Sequence, residues 1–279
     1  MTAATTARAG LRRQGGLDVL AWPAFDAAGV DAIVTTRRVG VSAAPYATLN
    51  LALHVGDEPA DVLANRRRVA AAIGADLADF VFCEQAHGNH ATVVSAADRG
   101  RGTLRRDDAI GQTDAVVTTD PGTVLVILVA DCVPIILLDP EARVLACVHA
   151  GWRGTVARVT SAALEAMASL GARPADVRAG IGPAIGQDRY QVGDDVAGPA
   201  RAALGGDADR VLRPDGTGRW RLDLAGANAL LLAAAGVPAA QIYPAAERTG
   251  GDGPFFSHRD QQPGGRFALL ARLQPGRRQ

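Results

Sequence analysis

The sequence has no lysine: every basic side chain other than histidine is an arginine. That absence excludes a Schiff-base lysine and the lysine of a nucleotide-binding P-loop. Neither sign of charge is in excess. The 29 arginines match 29 acidic residues, so no general surface for nucleic acid or an anionic membrane is expected. Cysteine is scarce. Cys83, Cys132 and Cys147 are odd in number and lack CxxC spacing, which argues against a disulfide framework and for a reducing cytoplasm. No apolar run reaches the ~20 residues of a membrane span, since the run over 124–138 is shorter and is broken by Asp131. Arg12-Arg13 is followed by Gln-Gly-Gly-Leu-Asp, which is not the apolar stretch of an export signal.

Within 279 residues there is ample material for a core, and no internal repeat or low-complexity linker divides it. Strands in adjacent runs, with helices between some of them, predict a single compact α+β domain of mixed β-sheets and flanking helices. The expected boundaries are a disordered extension over 1–16, one domain over 17–273 and a tail over 274–279. Helices are predicted after Gly56-Asp57-Glu58-Pro59, where the proline sits in the first turn, over 194–204 and over 223–235. The spacing of Val156, Val159, Ala163, Met167 and Leu170 predicts another.

The chain is organised around residues 124–152. A continuous apolar run reads as a strand buried on both faces. It ends at Asp131-Cys132, and a β-hairpin with a four-residue loop, Asp139-Pro140-Glu141-Ala142, follows. If Leu138 and Arg143 flank that loop as a pair, Cys132 stands opposite His149. A slip of one residue would put the two on opposite faces. Cys147, two residues before His149 on the same face, reads as core one layer deeper.

Five histidines are present: His54, His87, His90, His149 and His258. His87 and His149 each lie just past an apolar strand beside glycine, and Cys132 ends a third strand. Nitrogen, nitrogen and sulfur suit zinc and leave a fourth position for water. His90, three residues beyond His87, is the competing ligand. Asp131 is a candidate proton carrier or a structural hydrogen-bond acceptor. The turn at Gly151 and Arg153, ahead of a helix, is a candidate phosphate cradle. Arg66, Arg259 and Arg266 read as surface arginines by default.

Several motifs resemble the YfiH-type laccase-domain family, also called the polyphenol oxidase or purine nucleoside phosphorylase family. They are Thr48-Leu49-Asn50-Leu51 with His54-Val55-Gly56-Asp57, Asn65-Arg66, Gln85-Ala86-His87-Gly88, Thr113-Asp114-Ala115, Ala130-Asp131-Cys132-Val133-Pro134 and His149-Ala150-Gly151-Trp152-Arg153-Gly154. Gly182-Pro183-Ala184-Ile185-Gly186 and Phe256-Ser257-His258-Arg259 extend the likeness toward the C-terminus. The chain departs from the family pattern at Arg248-Thr249 and at His258.

The resemblance implies that His87, Cys132 and His149 are a metal triad, with zinc more expected than copper. Beside it, Asn50 and Arg66, with Arg153 and Gly151, are the candidate substrate-binding and phosphate-binding residues, and Asp131 joins the triad as a candidate catalytic residue. The implied activities are phosphorolysis of adenosine, inosine, guanosine and methylthioadenosine, together with adenosine deamination. The implied partners are a nucleoside and phosphate, with no nucleic acid or membrane, in a cytoplasmic monomer or small homo-oligomer. Two alternatives stay open from the residues. One is a cysteine hydrolase or peptidoglycan-editing enzyme using Cys132 and His149. The other is a scaffold whose structural metal is closed by a fourth protein ligand. A copper polyphenol oxidase is disfavoured, because a multi-copper centre needs more imidazole than five histidines supply.

Overall fold

The apolar run that dominates the sequence forms a strand, Val124–Val129, in a computed structural model that describes residues 9–275. In chain order the strands are β1 (Gly10–Gln14), β2 (Leu17–Ala21), β3 (Val30–Thr35), β4 (Phe80–Phe82), β5 (Ala91–Val93), β6 (Ala115–Thr118), β7 (Val124–Val129), β8 (Val133–Asp139) and β9 (Val144–Ala150). They continue with β10 (Arg178–Ile181), β11 (Ala184–Ile185), β12 (Gln191–Gly193), β13 (Leu212–Pro214), β14 (Arg219–Leu222), β15 (Ile242–Pro244), β16 (Arg248–Thr249) and β17 (Phe267–Leu273). The helices are α1 (Pro23–Asp26), α2 (Pro59–Ala72), α3 (Trp152–Val156), α4 (Val159–Ala168), α5 (Asp194–Leu204) and α6 (Leu224–Ala234).

Two six-stranded mixed sheets carry the fold. One runs β1-β2-β3-β17-β7-β4 and the other β15-β10-β8-β9-β6-β5. Alternation along each strand separates three apolar layers. Val124, Val126 and Leu128 face α2, with Val69 and Ala70 across from them. Leu125, Ile127 and Val129 face the second sheet, where Ile136, Leu138, Leu145 and Cys147 meet them. The far face of the second sheet, with Ile135, Leu137, Ala146 and Val148, packs on Val159, Ala163 and Met167 of α4. The order is therefore helix, sheet, sheet, helix. Every residue of β7, β8 and β9 is buried, as strands covered on both faces must be. Cys147 lies in the layer between the sheets, as expected.

Helix α2 begins with Pro59 in its first turn and Glu58 before it, as its sequence predicts. Three expectations change. The hairpin register pairs Asp139 with Val144 and Pro134 with His149, so the loop is Pro140-Glu141-Ala142-Arg143. Asp139 shifts it by accepting hydrogen bonds from the N–H groups of Glu141 and Ala142, both at 2.9 Å, and Arg143 takes a left-handed φ of 52°. The slip from the expected pairing is two residues, which conserves the face. Second, the helix expected after the central hairpin is two helices, because Arg158 adopts φ 61° between α3 and α4. Third, part of the extension expected to be disordered is strand β1, joined to β2 through Gly15 and Gly16 at φ 53° and 86°. Its three central side chains, Leu11, Arg12 and Arg13, are all exposed, so no alternation reveals it. Residues 1–8, and 276–279 of the expected tail, lie outside the described residues.

Candidate metal centre

His149 ends β9 on the face shared with Leu145 and Cys147, so its ring continues the layer between the sheets to its rim. Only 2% of it is exposed. Cys132 lies in the link between β7 and β8, just beyond Asp131 at φ 82°, and so passes from one sheet to the other. His87 sits on the turn after β4, itself at φ 60°. Gln85 anchors that turn by hydrogen bonding both to the N–H of Leu128, at 2.9 Å, and to its carbonyl, at 2.8 Å. The ligand atoms of His87, Cys132 and His149 all lie within 4.8 Å of one another.

Asp114, wholly buried at the start of β6, organises this group. One carboxylate oxygen accepts from Nδ1 of His149 at 2.8 Å and from the His87 N–H at 3.0 Å. The other accepts from the N–H groups of Gly88, at 2.7 Å, and Ala86, at 3.2 Å. Burial alone would raise the Asp114 pKa, but His149 and the N–H groups of Gly88 and His87 outweigh it and hold the carboxyl below its ordinary range. With Nδ1 committed to Asp114, His149 offers Nε2 to the site. Sequence reasoning noted Thr113-Asp114 only as a matching motif. An acid directly ahead of an apolar strand was the only mark of it in the sequence.

The electrostatics follow from crowding. Burial lifts the Cys132 thiol, but the charge and hydrogen bonds of His149, with those of His87, bring its pKa down to about 6. Burial opposes protonation of His149, yet Cys132 and Asp114 raise its pKa to about 9. Cys132 Sγ stands 4.0 Å from His87 Nε2. A tetrahedral zinc, with sulfur at ~2.3 Å and nitrogen at ~2.0 Å, needs about 3.5 Å there, a small rotation of the exposed His87 ring. Gly151 leaves the room. A Cβ at that position would come within 3.0 Å of His87 Cδ2 and 3.1 Å of Cys132 Sγ. The donor types, the fixed tautomer and this cradle fit a zinc-type cation. His90 is outside the group: it is exposed and its Nδ1 faces the Gln112 carbonyl at 3.3 Å. Among the described residues no fourth side chain closes the set.

The triad opens onto a cavity of about 380 Å³ that Arg66, Arg106, Arg266, His54, His258 and Glu84 also line. Other sequence candidates fall elsewhere. Asp131 is occupied: one oxygen accepts from Thr249 Oγ1 at 2.5 Å and the other from the Arg259 N–H at 2.7 Å. It thus ties the Cys132 link to the C-terminal wall. Asn50 is fully buried and holds Asp57, Ala52 and the Arg266 N–H. Arg153 is exposed, stacks 4.4 Å over Trp152 and is not among the cavity-lining residues. Arg66, read as a surface residue by default, is 3% exposed and lies 3.8 Å over the Phe82 ring. It repeats the buried spacing Val62, Asn65, Arg66, Val69 of α2, which was the available signal.

The fold and site define a layered α/β domain whose rim gathers two imidazoles and a thiol, open on one side. A family model described as multi-copper polyphenol oxidoreductase laccase matches residues 31–274, and the chain belongs to that family. It is 47% identical over 203 residues to a Deinococcus radiodurans protein named purine nucleoside phosphorylase, covering 73% of this chain and 74% of that one. It is 40% identical to a protein named adenosine deaminase RL5, from an unknown prokaryotic organism, over 77% of this chain and 82% of that one. The solved structure of YlmD from Geobacillus stearothermophilus superimposes with a TM-score of 0.91 at 36% identity, covering 95% of this chain and 99% of that one. No helix among the described residues is long and apolar enough to cross a membrane.

Proposed function

We propose that the chain is a zinc-dependent purine nucleoside enzyme, which cleaves adenosine, inosine, guanosine and methylthioadenosine by phosphorolysis and also deaminates adenosine. The observation that carries this reading is the convergence of His87, Cys132 and His149 on a cavity with one side of the set open. The names borne by relatives 40% and 47% identical to this chain support the substrate class.

In phosphorolysis a phosphate oxygen forms a bond to ribose C1′ while the bond from C1′ to the purine nitrogen breaks. The electron pair leaves with the purine, which takes up a proton, and the other product is ribose 1-phosphate, or 5-methylthioribose 1-phosphate from methylthioadenosine. In deamination water replaces the amino group at C6 and ammonia leaves. His87, Cys132 and His149 would hold the zinc, which when bound acts as a Lewis acid and makes water a nucleophile near neutral pH. The chain's own groups orient the rest. Asp114 fixes the His149 tautomer and the His87 turn, and Gln85 anchors that turn to β7. His258 lines the cavity, and burial together with Arg266 lowers its pKa. It is therefore neutral at pH 7, a hydrogen-bond donor or acceptor for a purine that brings no charge.

A second reading has its own support. Asp114, His149 and Cys132 stand in the order acid, imidazole, thiol of a cysteine hydrolase, and the low thiol pKa suits a nucleophile acting on an amide, murein peptide included. Metal content decides between them, since a thiolate bound to zinc is a poor free nucleophile. The experiment is to assay the metal of the purified protein and to follow purine release from adenosine with and without phosphate. Stoichiometric zinc, phosphate-dependent adenine release and loss of both in Cys132→Ala are expected. Absence of purine or ammonia release by metal-replete protein overturns the proposal.

A further inference from the structure

Three arginines line the cavity with one carboxylate, Glu84, which stands 3.4 Å from Arg106. Arg66 is the most deeply placed of them. Its Nε donates to the Leu51 carbonyl at 2.9 Å, and its Nη1 to those of Gly102 and Thr103 at 2.7 Å each. Those carbonyls orient it without neutralising it, and no carboxylate among the described residues pairs with it. Its Nη2 has no protein acceptor among them. With the Phe82 ring 3.8 Å away on one face, the guanidinium keeps that N–H edge for a ligand in the cavity it lines.

Arg266 joins it through the same brace. The Leu51 N–H donates to the Arg266 carbonyl at 3.1 Å, so one residue fixes both arginines. Buried Asn50 adds a bond to the Arg266 N–H at 2.8 Å. The Arg266 guanidinium is satisfied on Nη1 alone, by the carbonyls of Gly264 and Gly265 at 2.9 and 3.0 Å. Its Nε and Nη2 have no acceptor among the described residues. His54 lies beside them. Its partial burial, with the charge of Arg266, Arg106 and Arg66, lowers its pKa to about 4, so it is a neutral donor at pH 7.

We infer that Arg66, Arg266 and His54 form a subsite for a phosphate dianion inside the cavity. Guanidinium groups with free N–H edges and a neutral imidazole donor match the tetrahedral oxyanion, and its two charges offset the arginine excess. The inference rests on the phosphorolysis reading, for which this phosphate is the attacking reactant. It places the oxyanion with Arg66 and away from Arg153 and the turn at Gly151.

The probe is inorganic phosphate, titrated calorimetrically into the metal-replete full chain, with adenosine 5′-monophosphate as a second arm. Wild-type protein should bind phosphate saturably. Arg266→Gln should weaken it about ten- to a hundredfold, the size of a lost charge-assisted contact. Arg66→Gln should act likewise; because Arg66 also braces backbone, its result counts only when the melting curve is cooperative, and Arg266→Gln carries the test otherwise. The assignment is overturned if wild-type protein binds no phosphate, or if folded Arg266→Gln binds it unchanged. Loss of binding in Arg153→Gln with Arg266→Gln unaffected overturns it too. Tight binding of the nucleotide with no binding of free phosphate overturns the free anion in favour of an ester. Phosphate binding that depends on Arg266, without purine release from any nucleoside, upholds the subsite and defeats the phosphorylase reading. Purine release whose phosphate KM ignores Arg266 does the reverse.

Discussion

The Asp114 carboxylate accepts the Nδ1 proton of His149 at 2.8 Å and, with the same oxygen, the backbone N–H of His87 at 3.0 Å. One buried side chain thus sets two of the three candidate ligands, on separate segments. Asp114→Ala should lower stability by about 3–5 kcal/mol, because a buried charged partner and several N–H groups are left unpaired. Asp114→Asn should keep the fold better yet weaken metal binding about ten- to a hundredfold. Urea unfolding and chelator competition measure the two effects.

Gly151→Ala separates the site from the fold. The backbone there has φ −72°, which alanine adopts freely, but its methyl would press on His87 and Cys132. Metal affinity should fall at least tenfold, the scale of ~1.4 kcal/mol, while the thermal transition moves little. Retention of full metal affinity would show that the cradle is not needed.

The thiol provides a pH readout in metal-free protein. Thiolate absorbance should titrate with a midpoint near 6 rather than the ordinary 9.0. In His149→Ala the midpoint should rise steeply, since burial then acts with little opposition. The stability effects have opposite signs. The Cys132 contribution is present above pH 9 and is lost as pH falls through about 6. The His149 contribution is present below pH 6.5 and is lost as pH rises through about 9. Between pH 6.5 and 9 the two largely cancel, so metal-free stability should change little there on account of this pair.

Asn65 tests the wall that carries the arginines. Its side chain accepts from the Val41 N–H at 2.9 Å and donates to Ser42 Oγ, the Thr48 carbonyl and the Asn50 carbonyl. Asn65→Leu should cost about 3 kcal/mol or more, at roughly 1–3 kcal/mol for each buried group left unsatisfied. Chemical denaturation reads the loss.

Much of this could be read from the chain, and the failures are instructive. The face shared by Cys132 and His149 survived an error in hairpin register, because strand geometry repeats every two residues and the slip was two. The Asp139 turn that caused it depends on side-chain hydrogen bonds that hydrophobic patterning does not record. Helix α2 showed Arg66 on its buried face, yet arginine's usual exposure outweighed the spacing. Asp114 was the larger omission. Its partners are far along the chain, at His87 and His149, so only the folded topology joins them. The four-layer order was likewise hidden, because β17 inserts between β3 and β7 from the far end of the chain.

Exposure is graded across the three candidate ligands: His149 is sealed in the strand layer, Cys132 is half-buried and His87 is exposed on a surface turn. Of the three, only His87 could swing away without disturbing a sheet, so the mobility of its turn, and not that of the strands, would set how readily such a site gains or loses an ion.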